Sequence, residues 1–247
     1  IGKDACGAVC FLNSYVKPIV RISFQFPACC NVWSFPCPNS PFDRYLMLST
    51  TNSTLIMELK DDEFNELPVS DFYLEGVTLF ASTIVSNLLI VQVYKDGFRF
   101  VTNDSSIKTV YTYGIENVFQ IKSAATLNDS HLFVLFENGS FATFSVSVGM
   151  ELQYQITQLD CDNIFASFGE INCFCCIEFK NSSLLCFFSV TGALYFVNAE
   201  NGELIFQDTR FYLFSDISTE NSDSQSAEYK NVIEMRLVAL SSTDELF

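Results

Sequence analysis

Acidic side chains are concentrated in one short segment, and they are the first residues in the chain whose spacing suggests chemistry. Asp61, Asp62, Glu63 and Glu66 all lie within KDDEFNELPVSD (60–71). Paired carboxylates can act as general acid and base or bind a hard cation. This segment, however, contains no glycine hinge, and its acids do not follow the spacing of a calcium-binding loop. We interpret it as a solvated acidic loop without a catalytic role.

The only histidine, His131, and the only tryptophan, Trp33, are two further candidates for a functional site. A histidine can serve as a general base, but His131 begins an apolar segment and the chain has no G-x-S-x-G nucleophile motif. A glycine-rich phosphate-binding loop is also missing from the sequence. Trp33 could form a ligand platform, although packing inside the fold is the favoured interpretation. The sequence predicts no catalytic residue and no cofactor.

Cysteines are frequent enough to raise the question of metal binding. Zinc sites use paired C-x2–4-C units, usually together with His, and Cys6 and Cys10 have a marginal version of that spacing. We predict no metal site and mostly reduced, buried thiols in an intracellular protein. A disulfide framework is the less favoured alternative, because neighbouring residues in a strand point to opposite faces. The ten cysteines are Cys6, Cys10, Cys29, Cys30, Cys37, Cys161, Cys173, Cys175, Cys176 and Cys186.

The charge and hydropathy of the chain restrict the classes of partner that it can bind. The net charge is −16, with 29 acidic and 13 basic residues among 247. Because binding to a phosphate backbone depends on clustered Lys and Arg, direct nucleic-acid binding is not expected. The longest apolar stretch (78–94) contains Ser, Thr, Asn and Gln. It predicts two strands with a turn near Asn87 and no membrane span.

Any functional site must be positioned by four apolar segments of the chain. Each segment is interrupted by a tight polar turn. Asn-Gly and Asp-Gly turns between apolar runs are strong hairpin signals, because both residues tolerate positive φ. The turns lie 45, 42 and 53 residues apart, which is typical of the blades of a β-propeller. The segments span 45–59, 88–101, 131–146 and 183–197, with turns near Asn52, Gly97, Gly139 and Gly192.

The rest of the chain is also predicted to be strands and loops, with few helices. Residues 5–26 resemble a strand pair, 26–44 a Pro- and Cys-rich connector, and FATFSVSV (141–148) a strand with one buried face. A polar loop is predicted over 215–230 and a last strand over 232–240. We predict an all-β fold of about five or more four-stranded blades from a seven-bladed propeller. Residues 1–247 would then form a single, partial propeller domain of a larger multi-propeller protein.

The order of several short motifs resembles the middle propeller of the CPSF-A family. That family shows a Pro-containing run leading to Trp, then Y-L-x-L-S-x-x-x-S-T, then acidic residues, and then I-V-Q-V-x-x-x-G-I-R. Family glycines are replaced here by Ala28 and by Asp71. The matching residues are Trp33, Leu46, Ser49, Ser53, Thr54, Glu63, Glu66, Leu67, Phe72, Val91, Gln92, Val93, Gly97 and Arg99.

Within that family, the sequence most resembles the large subunit of the cleavage and polyadenylation specificity factor. The resemblance implies a non-enzymatic nuclear scaffold for the protein subunits of the pre-mRNA 3′-end processing complex. It implies contact with RNA mainly through those partners, and no contact with a membrane. Two alternatives stay open: a related propeller that serves a ubiquitin ligase or a splicing factor, and a propeller enzyme such as a glycoside hydrolase. The residues that bind partners are not specified by the sequence.

Overall fold

The computed structural model describes residues 26, 28–36, 42–60, 63–67, 71–104, 107–114, 119–149, 153–159, 168–179 and 182–208. Within these ranges the regular secondary structure is almost entirely β-strand, arranged as four four-stranded antiparallel sheets. No helix of the described residues has the length and apolar character needed to cross a membrane.

Each sheet is an up-and-down meander of four consecutive strands, which we call a blade. The first blade contains β1 (Cys29–Pro36), β2 (Asp43–Thr50), β3 (Thr54–Lys60) and β4 (Glu63–Glu66). The second contains β5 (Thr78–Ile84), β6 (Leu89–Tyr94), β7 (Gly97–Thr102) and β8 (Thr109–Gly114). The third contains β9 (Ile121–Leu127), β10 (His131–Phe136), β11 (Phe141–Val148) and β12 (Tyr154–Leu159). The fourth contains β13 (Ile171–Phe179), β14 (Ser182–Ser189), β15 (Leu194–Asn198) and β16 (Leu204–Asp208).

Consecutive blades pack face to face, as the blades of a β-propeller do. The first strands of neighbouring blades contact one another, in the order β1, β5, β9 and β13. The first strand of each blade therefore lies at the inner edge and the fourth at the outer edge. This arrangement confirms the predicted all-β propeller architecture.

The four repeating hairpins of the sequence are the second and third strands of the four blades. In the second and third blades both faces of these strands are largely buried, because each of these blades has a described neighbour on either side. In β6, for example, Leu89, Val91 and Val93 face the third blade, whereas Ile90 faces the first. The apolar runs are nearly continuous for this reason, as in other strands that are buried on both sides.

Phenylalanine fills much of the space between blades. Phe98, Phe100 and Phe144 pack between the second and third blades, and Phe133 and Phe187 between the third and fourth. All five side chains are at most 2% exposed. Burying one such side chain stabilises the fold by about 1.5–3 kcal/mol. The high Phe content therefore follows from a core made of several inter-blade layers.

Three local predictions are wrong, two because a strand of unusual composition pairs with an apolar neighbour and one because a strand is covered on both faces. The connector at 26–44 contains β1, whose Trp33 is half-buried against the core between the first two blades. The acidic loop contains β4, a polar strand that pairs with β3 at the solvated outer edge. FATFSVSV is buried on both faces over Phe141–Phe144, because blades cover both sides of β11.

Some predictions concern residues outside the described ranges. They are the strand pair at 5–26, the polar loop at 215–230, the last strand at 232–240 and any blade beyond these four.

Candidate interaction surface

Several of the motif residues form a buried polar network between the first two blades. Ser49, Thr54, Thr78 and Gln92 are each at most 4% exposed. The Thr54 and Thr78 hydroxyls lie 2.8 Å apart, and the Thr78 N–H donates to Ser49 Oγ at 3.0 Å. Thr54 Oγ1 also donates to the Gly76 carbonyl at 2.8 Å. The network joins β2 and β3 to the start of β5, and it is therefore structural.

Gln92 is the centre of this network, with its carboxamide fully buried. Its Nε2 donates to the Tyr73 carbonyl and to Thr78 Oγ1, both at 2.8 Å. Its Oε1 accepts from the Tyr73 N–H at 2.7 Å. One side chain thus pairs three polar groups, of which Thr78 Oγ1 is buried and the two Tyr73 backbone groups are partly buried, and it fixes the segment that connects the two blades.

Arg99 is held in place by the same connecting segment. Its Nη1 donates to the Asp71 carbonyl at 2.6 Å, and its guanidinium carbon lies 5.6 Å from the ring centroids of both Tyr73 and Tyr94. The Asp71 carboxylate in turn accepts from the Thr109 N–H at 2.7 Å. Arg99 is therefore engaged in cation–π and backbone contacts and is not presented to a phosphate.

The carboxylates of the acidic segment do not converge on a described cavity. Glu63 and Glu66 are exposed on the outer-edge strand β4, and Asp61 and Asp62 lie outside the described residues. A glycosidase would need two carboxylates facing each other. Among the described residues of the four inner strands, only Glu178 is acidic, and its Oε1 accepts from the Asn128 N–H at 3.2 Å.

His131 is the first residue of β10 and is half-buried. Its Nδ1 lies 2.9 Å from Ser130 Oγ. Burial lowers the pKa of the imidazole below 6.5, and the nearby Glu200 carboxylate partly offsets that shift by raising the pKa. The ring is therefore mostly neutral at pH 7. No nucleophile motif accompanies it in the sequence, and the absence of a catalytic role for His131 remains a prediction.

A cleft of about 360 Å³ opens between the third and fourth blades beside His131. Thr143 on its wall is 2% exposed, and its hydroxyl has no hydrogen-bond partner among the described residues. Neither Thr143 nor Glu200 is marked by a sequence motif, because the cleft forms only when the β15–β16 turn packs beside β10. Its lining comprises Leu127, Asn128, His131, Phe133, Thr143, Leu159, Asn198, Ala199, Glu200 and Gly202.

The cysteines of the fourth blade form a thiol cluster across two strands. Cys175 lies opposite Cys186 in the β13–β14 register, and Cys173 is on the same face of β13. Burial raises the pKa of Cys173 to about 11, and a hydrogen bond with Cys175 together with burial raises the pKa of Cys186 far more. No group of three or more potential ligands among the described residues could hold a metal ion.

These thiols should differ sharply in their reaction with an alkylating agent. Cys29 and Cys30 are exposed, whereas Cys173 and Cys186 are buried. Because the thiolate is the reactive form, iodoacetamide at pH 8 should label the exposed pair rapidly and the buried pair only after unfolding. Peptide mapping by mass spectrometry measures both rates. Equal labelling of Cys186 and Cys29 in the native protein would contradict the burial of the fourth blade.

The fold defines this chain as a β-propeller whose described surface includes blade edges, turns and an inter-blade cleft. More narrowly, it belongs to the family described as the RSE1/DDB1/CPSF1 second beta-propeller, whose profile matches residues 18–245. This result confirms the resemblance to the CPSF-A family. The motif residues that carried the resemblance include Ser49, Thr54 and Gln92 of the buried network, so part of the family pattern lies where the first two blades are joined.

Curated relatives are similar at low identity. Protein cft1 of Schizosaccharomyces pombe is 21% identical over 162 residues, which cover 60% of this chain and 11% of that protein. The probable cleavage and polyadenylation specificity factor subunit 1 of Caenorhabditis briggsae is 26% identical over 170 residues, which cover 68% of this chain and 11% of that protein. Its counterpart from Oryza sativa subsp. japonica is 20% identical over 152 residues, covering 56% and 10%. The chain spans about a tenth of the length of these relatives.

Proposed function

We propose that this chain is a non-catalytic scaffold in pre-mRNA 3′-end cleavage and polyadenylation. It organises other protein subunits of the specificity factor in the nucleus. The observation that carries the proposal is the match to the second-propeller family, together with relatives named as cleavage and polyadenylation specificity factor subunit 1. In this proposal, residues 1–247 form one partial propeller domain of a longer, multi-propeller protein.

The described residues support a scaffold more than an enzyme. Polar residues such as Gln92 and Arg99 join neighbouring blades, Gln92 through the buried network and Arg99 through its cation–π contacts. The inner strands bring no pair of carboxylates together within the described ranges. A surface of rigid turns and blade edges is instead suited to binding other proteins.

RNA contact is assigned mainly to partner subunits. The chain has 13 basic residues against 29 acidic ones, so few phosphates could be neutralised together. Lys122, on the inner strand β9, already donates to Asn172 Oδ1 at 2.8 Å. Single-strand binding also needs exposed aromatic residues along a basic groove. Among the described aromatic side chains of known burial, only Phe42, Phe119 and Phe206 are exposed.

Titration with RNA tests this assignment. The purified 247-residue chain is titrated with a fluorescently labelled RNA that contains a polyadenylation signal, near physiological salt, and anisotropy is measured. We expect no saturable binding below about the micromolar range, which is the usual range of non-specific nucleic-acid binding. A scrambled RNA of equal length serves as the control. Tight binding that discriminates between the two RNAs would make this propeller a direct reader of the signal and would overturn the scaffold proposal.

A further inference from the structure

The cleft between the third and fourth blades has the features of a site for one long, positively charged side chain. We propose that it binds an arginine side chain from an extended segment of a partner protein. The proposal rests on the chain acting as a binding platform, but it does not depend on which complex the chain enters.

The size of the cleft fits a side chain better than a folded element. Its volume of about 360 Å³ is at the lower end of the usual range for ligand pockets. One wall is apolar and comes from the third blade, through Leu127, Phe133 and Leu159. Leu127 and Phe133 are at most 5% exposed. Thr143 lies between Phe133 and Leu159 in the strand register, so it belongs to the same wall. The methylene groups of an arginine could pack along this wall while its guanidinium faces Thr143 and Glu200.

The cleft has a polar acceptor from each of its two blades. The Thr143 hydroxyl is buried and unpaired among the described residues, which normally destabilises a protein until a partner is supplied. The exposed Glu200 carboxylate is on the opposite wall, in the turn that joins β15 to β16. A guanidinium has several N–H donors in a fixed plane, so it can reach a carboxylate and a hydroxyl together. An ammonium group lacks that planar geometry.

Charge around the cleft favours a cation over an anion. Asp129, Glu178 and Glu203 are exposed at the same end of the third and fourth blades as Glu200. His131 is mostly neutral at pH 7 and adds no positive charge. The net charge of −16 would further attract a basic segment and repel an acidic one. A metal ion does not fit, because no described group of three potential ligands could hold one.

The ring signal of His131 gives a direct test, because it is the only histidine in the chain. We would titrate the full chain with the peptide acetyl-Gly-Ser-Arg-Ser-Gly-amide and follow the imidazole Cε1 proton by NMR. A saturable shift is expected with this peptide. The same peptide with citrulline, a neutral isostere of arginine, should bind about threefold to fivefold more weakly. No shift, or equal shifts with both peptides, would overturn the proposal.

Two matched variants localise the binding. Glu200→Gln should weaken the arginine peptide about threefold to fivefold, because it removes the carboxylate in the cleft. Glu203→Gln removes one charge from the same turn but lies outside the lining, so it should weaken the affinity by less than about twofold. An equal loss in both variants would show non-specific attraction and contradict a built site. These experiments measure peptide binding alone. A negative result would therefore overturn the proposed arginine site without testing the proposed nuclear role.

Discussion

Replacing Gln92 by alanine is expected to lower the free energy of unfolding by about 3 kcal/mol. The substitution leaves the Tyr73 N–H and carbonyl without the carboxamide, and it removes one partner of Thr78. Each buried polar group that loses its partner costs about 1–3 kcal/mol, and the groups share one network, so the losses do not simply add. Urea denaturation followed through Trp33 fluorescence measures the change, since Trp33 packs on the adjoining inter-blade core.

An exposed glutamine in a strand provides the control for this experiment. Gln155 lies in the outer-edge strand β12 and is exposed. Gln155→Ala should change the free energy of unfolding by no more than about 0.5 kcal/mol. If Gln92→Ala were as mild as Gln155→Ala, the network would not hold the first two blades together.

Replacing Gly97 by alanine is expected to lower the free energy of unfolding by about 2–3 kcal/mol. Gly97 begins β7 and lies opposite Gly114 in β8. A Cβ atom at Gly97 would overlap the Tyr113 carbonyl oxygen and lie 3.2 Å from the Tyr113 carbonyl carbon. Both atoms belong to the backbone of a paired strand, so the clash cannot be relieved by rotating a side chain.

The facing glycine gives a matched control in the same strand pair. A Cβ atom at Gly114 would meet no atom within 4 Å. Gly114→Ala should therefore change the free energy of unfolding by less than about 1 kcal/mol in either direction. Urea denaturation of both variants, monitored by circular dichroism, makes the comparison. Equal destabilisation by the two substitutions would show that the loss at Gly97 comes from glycine flexibility and not from the close backbone approach.

The central hairpins of the blades could be predicted from sequence because their signals are local. Gly139 and Gly192 have positive φ in tight turns, and the strands beside them are apolar on both faces. The inner strand β1 and the outer strand β4 could not be predicted in the same way. β1 is rich in Cys and ends in proline, and β4 has the polar sequence EFNE. Each becomes a strand by pairing with an apolar neighbour, which is a tertiary effect.

The family pattern contains Ser49, Thr54 and Gln92 of the inter-blade network but does not indicate their physical role. Gln92 and Arg99 belong to the family pattern, whereas Tyr73, which contacts both of them, belongs to no sequence motif. The cleft was missed altogether, because His131 and Glu200 belong to different blades and are separated by most of two blades in sequence. Contacts of this kind depend on how one blade packs on the next, and no local pattern records them.

The central claim, that the chain is a scaffold of the 3′-end processing machinery, is tested most directly by affinity capture. The tagged 247-residue chain is incubated with nuclear extract, and co-purified proteins are quantified by mass spectrometry against the Gly97→Ala variant as a folding control. The account predicts enrichment of cleavage and polyadenylation subunits with the unsubstituted chain and less with the variant. Enrichment of a cullin or of branch-site splicing proteins, without polyadenylation subunits, would contradict it.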